Sequence, residues 1–175
     1  MTNQTIADKI EIRDMLHRYC RGLDRMDREL ALSVFHPDSE LDYGSVFKGS
    51  GAEFIDWVWP NHAKVTRHSH SITNCYIEVD GARAASESYS YMVMRMDTPE
   101  GPMILQNNGR YLDEWVRYRG GWVIMKRRSV HEFQEIRRLE NSGSSEHTCV
   151  ASRDKADPSY QLDPPLFGAM AAKER

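Results

Sequence analysis

The sequence predicts an α+β fold in which three helices precede a curved antiparallel sheet. Apolar residues recur at helical spacing through the first part of the 175-residue chain, and beyond Lys64 the pattern changes to that of strands. Turn signals containing Gly81, Gly101 or Gly120 separate the strands, which is typical of an antiparallel meander. Their length indicates a strongly curved sheet. The predicted long strands span about residues 67–79, 83–97, 103–118 and 122–138.

The first predicted helix carries apolar residues from Ile6 to Leu23 at i, i+3, i+4 and i+7 spacing. Asp24 lies where this helix should end, although a carboxylate is electrostatically unfavourable at a helix C-terminus. Such a break of a local rule indicates either a functional position or a loop aspartate that caps the next helix.

Two further helices are predicted before the long strands. Asp27 suits the N-cap of a second helix that carries Leu30, Ala31, Val34 and Phe35, and His36-Pro37 should end it. The segments 40–43 and 46–48 read as two brief strands. A third helix is expected to begin at Ser50 and to stop at Pro60.

The composition is that of a folded globular protein with one domain. Hydrophobic residues make up 40% of the chain and charged residues 28%, which distinguishes it from a disordered chain. We predict a domain over residues 1–140 and, from the polar run at Asn141, a C-terminal extension over 141–175. The extension either covers the pocket or a neighbouring subunit with its apolar end, residues 166–170, or is a mobile terminus.

Charge and cysteine content argue against several classes of partner. The net charge of −3 gives no basic footprint for nucleic acid or for an anionic membrane. No apolar run approaches the roughly 18 residues that span a bilayer, and the N-terminus lacks a secretion signal pattern. Three cysteines without C-x-x-C spacing suggest neither a disulfide framework nor a thiolate zinc site. We therefore expect a cytoplasmic protein.

Two histidines at an i, i+2 spacing, His68 and His70, are the first candidates for a site. Residues two apart on a strand share a face, so one side of the strand would present both imidazoles. An imidazole has an unperturbed pKa of about 6.5 and can accept a proton at neutral pH. The alternative is a hydrogen-bonded structural histidine. The predicted companions on that face are Ile72 and Asn74, with Cys75, Ile77 and Val79 on the other face.

Five short pieces of sequence, taken in order, carry a family resemblance. They are Gly22-Leu23-Asp24-Arg25-Met26-Asp27, Asp42-Tyr43, His70-Ser71-Ile72-Thr73-Asn74, Tyr111-Leu112-Asp113-Glu114-Trp115 and Gly121-Trp122-Val123-Ile124. Over about residues 5–138 the chain resembles the nuclear transport factor two-like superfamily. Within it, the chain resembles the SnoaL-like group that contains scytalone dehydratase and hexachlorocyclohexane dehydrochlorinase. The resemblance implies a cone-shaped sheet closed by the helices, with a pocket inside the cone.

The resemblance also implies roles for individual residues. Asp24 and His70 match the Asp-His pair of both enzymes. Tyr43 matches a tyrosine that, in scytalone dehydratase, helps to hold a water against the substrate carbonyl. Arg127 falls where the dehydrochlorinase has an arginine near its leaving group. The implied site contains no metal.

The chain departs from scytalone dehydratase in two places. Gln106, Asn107 and Asn108 stand where that enzyme has its second catalytic histidine, and Leu23 replaces its other pocket tyrosine. Scytalone is therefore not the expected substrate. The resemblance supports a reaction type more than it supports a substrate.

The matched residues suit removal of a proton beside an activating group. His70 would be the base, and Asp24 would fix its tautomer and stabilise the imidazolium. Tyr43 and Asn108 would polarise a carbonyl or a departing hydroxyl, and Arg127 would meet developing negative charge. The alternative for each of these side chains is a purely structural role. The remaining predicted substrate contacts are His68, Trp59, Met92, Tyr91 and His131.

A metal site is the alternative use of these side chains. His68, His70, His131 and Asp24 are residues of the types that bind iron in oxygenases. Two ligands at i, i+2 without an H-x-D/E motif are a weak basis for such a site, so we expect neither a metal nor another cofactor.

We therefore expect a cofactor-independent lyase, a dehydratase or related elimination enzyme, acting on a hydrophobic cyclic or aromatic small molecule. Carbon-carbon cleavage, such as deformylation of an aryl diol, is a variant within this class. The alternatives are an isomerase like ketosteroid isomerase and a non-catalytic ligand-binding or structural subunit, such as the small subunit of an aromatic-ring dioxygenase. A large distance between Asp24 and His70 would favour the non-catalytic alternative. The resemblance also implies a homo-oligomer, a dimer or trimer, because an exposed outer sheet face rich in Tyr and Trp is commonly buried against a partner.

Overall fold

The computed structural model describes residues 2–140 and 149–162, and within them the fold consists of three α-helices and one six-stranded sheet. The α+β class predicted from the sequence is confirmed. A short 3-10 helix, Pro158–Tyr160, lies in the C-terminal extension. In chain order the other elements are α1 (Asn3–Asp24), α2 (Arg28–Leu32), β1 (Phe35–Asp42), β2 (Lys48–Gly49), α3 (Gly51–Ala63), β3 (Arg67–Asp80), β4 (Arg83–Thr98), β5 (Gly101–Tyr118) and β6 (Gly121–Arg138).

The sheet is curved and unclosed, with the strand order β2-β1-β6-β5-β4-β3. Strands β3 to β6 form the predicted antiparallel meander. Helix α1 packs against β3 and β6, and α3 packs against β1. The helices therefore cover one face of the sheet, and β3 is an edge strand.

A close approach of α1 and α2 determines where Asp24 lies. A Cβ atom at Gly22 would come within 2.5 Å of Ala31 N, so glycine is required at this contact. Met26 adopts a left-handed backbone conformation (φ 51°) between the helices, and Asp27 caps α2 by accepting from Leu30 N at 3.2 Å. The tight turn leaves Asp24 as the last residue of α1.

The second helix ends earlier than the sequence predicts. Helix α2 stops at Leu32, and Phe35-His36-Pro37 belong to β1. Ile124 N donates to Val34 O at 2.8 Å, and Phe35 pairs with Ile124 where β1 runs parallel to β6. This pairing joins residues far apart in the chain and overrides the local helical periodicity.

The third helix runs past the proline that was expected to end it. Helix α3 begins with a capping box at Ser50 and continues through Pro60 to Ala63. Val58 and His62, on either side of the proline, are both buried. Pro60 removes one backbone donor, and burial of this face compensates for that loss.

A β-bulge in β3 reverses the predicted orientation of the residues in the second half of the strand. Directly opposed residues of an antiparallel pair share a face. The prediction that Cys75, Ile77 and Val79 lie on the other face is wrong, because the bulge adds one residue near Thr73-Asn74. His68, His70 and Ile72 pair with Met94, Met92 and Ser90, whereas Cys75, Ile77 and Val79 pair with Ser88, Ser86 and Ala84.

The hydrophobic core lies between the helices and the inner face of the sheet. Trp115 and Trp122 are each 1% exposed there, so both tryptophans of the sheet face inward. The outer face carries the exposed rings of Tyr76, Tyr89 and Phe133. The expected outer face is therefore rich in aromatic rings but not in tryptophan. None of the helices in residues 2–140 and 149–162 has the length and apolar character to cross a membrane.

Residues 149–162 of the C-terminal extension pack against the end of α1 that carries Asp24. Asp157 accepts hydrogen bonds from Arg25 at 2.5 Å and from Ser152 N at 2.9 Å. Arg25 also donates to Ser152 O at 2.7 Å, which fixes the extension on the helix end. The apolar end of the extension, residues 166–170, lies outside the described residues.

Candidate active site

Asp24 and His70 form a hydrogen-bonded pair between α1 and the edge strand β3. His70 Nδ1 lies 2.7 Å from Asp24 Oδ1. The backbone N–H of His70 also donates to the same carboxylate, at 3.1 and 3.0 Å to its two oxygens. Both side chains are largely buried, with 9% of His70 and 12% of Asp24 exposed. The pair therefore meets the distance criterion on which the catalytic prediction depended.

A cavity of about 520 Å³ lies beside this pair, between α1, α3 and the inner face of the sheet. His70 Nε2 has no hydrogen-bond partner among the described residues, and His70 lines the cavity. The apolar part of the wall includes Leu23, Phe54, Trp57, Val58, Met92 and Met94. The polar part includes Tyr43, Asn61, His62, His70, Asn107 and His131.

Tyr43 presents its hydroxyl in a group of stacked aromatic rings. It stacks on Phe54 with ring centroids 4.6 Å apart, and its hydroxyl lies 3.3 Å from that of Tyr19. Burial raises the pKa of Tyr43, so its hydroxyl stays protonated at neutral pH and is available as a donor.

Arg127 lies behind this aromatic group and outside the cavity lining. Its Nε and Nη2 atoms donate to Asp113 at 2.7 and 2.8 Å, and both side chains are fully buried. The guanidinium is 4.0 Å from the ring centroid of Tyr111 and 4.6 Å from that of Tyr19. The predicted direct contact of Arg127 with a leaving group is therefore not supported, because tyrosine rings cover the charge.

Three imidazoles pack together at the end of the cavity. The ring centroids are 4.6 Å apart for His62 and His68, 5.4 Å for His68 and His70, and 5.7 Å for His62 and His70. Burial, with the neighbouring histidines and Arg153, lowers the pKa of His62 and of His68 to about 3. Both rings are therefore uncharged at neutral pH.

Arg153 connects the C-terminal extension to the imidazoles. Its Nη2 atom lies 3.2 Å from His68 Nε2 and donates to His62 O at 2.5 Å, and its Nη1 atom donates to Val65 O. Because an arginine can only donate, His68 Nε2 must be the acceptor and its proton must lie on Nδ1. His68 is buried behind His70 and does not line the cavity, so the predicted direct contact of His68 with the substrate is not supported.

His62 is a site residue that the sequence reasoning missed. It lies four residues after Val58 and seven after Ile55, on the buried face of α3. This spacing could have identified it, but the helix was expected to end at Pro60.

Two predicted contacts, Tyr91 and Asn108, lie on the outer face of the sheet. They are paired with each other across β4 and β5, whereas Met92 and Asn107 are paired on the inner face. Met92 and Asn107 line the cavity. The predictions for Tyr91 and Asn108 are therefore wrong, since the pleat turns each of them away from the site.

Of the two other predicted substrate contacts, His131 and Trp59, the first lines the cavity and the second does not. The position of His131 agrees with its prediction as a substrate contact. Trp59 packs against the core, and its neighbours Trp57 and Val58 line the cavity instead.

Asp24, His68 and His70 offer ligand atoms within 4.8 Å of one another and could in principle hold a metal ion. His131 is not part of that group. The guanidinium of Arg153 already contacts His68 Nε2, so a metal there would meet a positive charge. The donor set therefore fits a cation poorly.

A curved, unclosed sheet covered on one face by helices is the fold of the nuclear transport factor two-like superfamily, which is also called cystatin-like. Within that class the chain belongs to the SnoaL-like family, because the family model described as a SnoaL-like domain matches residues 4–128.

Similar proteins include enzymes and proteins without an assigned role. A candidate scytalone dehydratase from Novosphingobium aromaticivorans is 22% identical with a TM-score of 0.68, over 83% of this chain and 100% of that one. A hexachlorocyclohexane dehydrochlorinase from Novosphingobium barchaimii is 17% identical with a TM-score of 0.67, over 81% and 97%. The uncharacterized protein Rv2910c of Mycobacterium tuberculosis is 27% identical over 135 residues, 75% of this chain and 90% of the relative. The two structural likenesses establish the shared fold alone.

Proposed function

We propose that this protein is a cofactor-independent lyase that eliminates a leaving group from a hydrophobic cyclic or aromatic small molecule, with His70 as the base. The observation that carries the proposal is the 2.7 Å pairing of His70 Nδ1 with Asp24 beside a cavity of about 520 Å³. The names of the similar dehydratase and dehydrochlorinase support an elimination.

Asp24 prepares His70 for proton abstraction. By accepting from Nδ1–H, the carboxylate leaves the lone pair on Nε2, the nitrogen without a partner among the described residues. When Nε2 takes the substrate proton, the adjacent carboxylate stabilises the imidazolium. The C–H electron pair forms the new double bond, and the leaving group departs with its own pair. A departing hydroxide then takes the proton back from His70 and leaves as water.

Tyr43 would act on the oxygen that gains negative charge. Tyr43 lines the cavity and its hydroxyl remains protonated, so the hydroxyl would donate to a substrate carbonyl or a departing hydroxyl. Arg127 contributes through the tyrosines, because its charge lies under the rings of Tyr19 and Tyr111. It is a positioning residue in this proposal.

The cavity favours a flat, mostly apolar substrate of moderate size. Its volume of about 520 Å³ is within the usual range for small-molecule sites, and Met92 and Met94 provide an adaptable apolar wall. A cyclic substrate that carries one oxygen or halide beside an acidic C–H bond would contact both His70 and Tyr43.

The test is a screen of the purified protein, without added cofactor, against cyclic alcohols, aryl diols and cyclic halides. We expect turnover of at least one compound, with loss of activity in His70→Ala and retention in His36→Gln, which alters a histidine packed on Tyr118 away from the cavity. Treatment with EDTA should leave the rate unchanged. Full activity in His70→Ala would rule out the proposed base, and metal-dependent recovery after EDTA would favour the oxygenase-like site.

A further inference from the structure

His62 enters the cavity wall because α3 continues beyond Pro60. The residue is 6% exposed, and its ring lies against both His68 and His70. Arg153 holds the main chain at this point by donating to His62 O. The ring is therefore fixed in place beside the proposed base.

The two ring nitrogens of His62 have different surroundings. Nδ1 is fully buried and has no hydrogen-bond partner among the described residues. Nε2 is also unpaired within the described part of the chain, but it is not one of the fully enclosed atoms, and His62 lines the cavity. Nε2 is thus the nitrogen that a bound molecule can reach.

Among residues 2–140 and 149–162, no carboxylate pairs with His62, and in this it differs from His70. The Nδ1 atom of His70 is paired with the Asp24 carboxylate at 2.7 Å. His62 is buried beside His70 and the Arg153 guanidinium, and burial together with these two neighbours lowers its pKa and disfavours a positive charge on it. A neutral imidazole keeps one donor and one acceptor nitrogen, so His62 can hydrogen-bond a substrate without competing for its proton.

We propose that His62 is the second imidazole of the site and hydrogen-bonds an oxygen of the substrate through Nε2 while His70 removes the proton. The substrate class is thereby narrowed to cyclic or aromatic molecules that carry a hydroxyl or carbonyl group near the reacting C–H bond. This inference rests on the proposed function, which assigns the cavity to the substrate and the removal of the proton to His70.

The experiment measures binding, so it does not depend on turnover. The probes are 2-naphthol and 2-methylnaphthalene, which differ by a hydroxyl in place of a methyl group. The wild-type protein should prefer 2-naphthol, and His62→Phe should reduce that preference about three- to tenfold, the worth of one hydrogen bond. His62→Gln places an amide near the position of Nε2 and should retain most of the preference. His36→Gln is the matched control and should behave as the wild type.

Nitrogen NMR of the wild-type protein provides a second measurement if His62→Phe does not fold. The Nε2 resonance of His62 should shift on addition of 2-naphthol and should not shift with 2-methylnaphthalene, whereas His36 should respond to neither. An unchanged His62 resonance, an unaltered preference in a folded His62→Phe variant, or no binding of 2-naphthol by the wild type would overturn the inference. Failure of the proposed function would appear separately, as undiminished turnover by His70→Ala.

Discussion

The carboxylate of Asp24 binds the same histidine twice, once through the ring and once through the main chain. The bond to the backbone N–H of His70 fixes the strand, and the bond to Nδ1 fixes the ring. Because β3 is an edge strand, that N–H would otherwise have no partner within the sheet. Asp24 thus satisfies a structural requirement and orients the proposed base.

Replacement of Asp24 by asparagine should separate these two roles. An amide keeps the shape and can still accept from the backbone, but it stabilises an imidazolium poorly. We expect kcat to fall by on the order of 10²- to 10⁴-fold with the fold intact, measured on the best substrate from the screen. Asp14→Asn alters an exposed carboxylate on the same helix and should leave kcat unchanged. Equal rates for the two variants would contradict the role of Asp24.

Tyr43→Phe should remove one donor without removing the aromatic stack. The phenyl ring can still stack on Phe54, but no hydroxyl remains to stabilise charge on the substrate oxygen. We expect kcat to fall by on the order of 10²-fold. Tyr89→Phe, on the outer face, is the control. A normal kcat in Tyr43→Phe would contradict a catalytic role of the hydroxyl and would leave Tyr43 with a packing role alone.

At the scale of elements, the contact between α1 and α2 determines the position of Asp24. Gly22→Ala would drive a methyl group into the backbone of Ala31. We expect the free energy of unfolding to fall by about 1–3 kcal/mol and activity to fall with it, because Asp24 would move relative to His70. Urea denaturation and kinetics check both effects. Gly121→Ala meets only the flexible end of Glu11, so it should cost less; equal costs would contradict this account.

The elements that follow local rules were predicted well from the sequence. The four long strands were predicted correctly because the turn residues between them and the alternation along them are local features of the sequence. The second helix begins after Asp27 and the third after Ser50, as expected. The parallel pairing of β1 with β6 was missed, because it depends on contacts between Phe35 and Ile124 that no local pattern encodes.

The site was predicted in part, for similar reasons. Asp24 and His70 were brought together by the resemblance, and the structure places them in contact. The choice of Asn108 instead of Asn107 was wrong because a shift of one residue reverses the face of a strand. Arg153 could not be found from sequence, since it contacts the imidazoles from the far end of the chain.

At the scale of the molecule, the neutral imidazoles make stability depend on pH. The pKa values of His62 and His68 are lowered to about 3 in the folded chain, below about 6.5 in an unfolded one. Between these values the unfolded state binds more protons, so stability is lost as the pH falls below about 6.5. Each histidine should contribute a loss of about 2 kcal/mol between pH 7 and pH 5.

Urea denaturation at pH 7 and pH 5 measures this loss. His68→Gln should reduce the difference in the free energy of unfolding between the two pH values, because one proton-binding group is removed. His17→Gln, at an exposed position, is the matched control. The same pH dependence in both variants would contradict the assignment of His68 as a buried neutral ring.

The exposed aromatic rings on the outer face of the sheet support the prediction of a homo-oligomer, which stays a prediction. Tyr76 is 68% exposed and Phe133 is 58% exposed, on the face away from the helices. Sedimentation velocity should give a dimer or trimer, and Phe133→Glu should shift it toward the monomer. A monomeric wild-type protein at micromolar concentration would contradict the prediction.

The family match ends at residue 128, yet Arg153 touches the imidazoles from beyond it. The surroundings of these imidazoles are thus encoded in two separate parts of the chain, the family domain and the segment that follows it. An exchange of that segment alone would change what contacts His62 and His68 and would leave the sequence at Asp24 and His70 as it is.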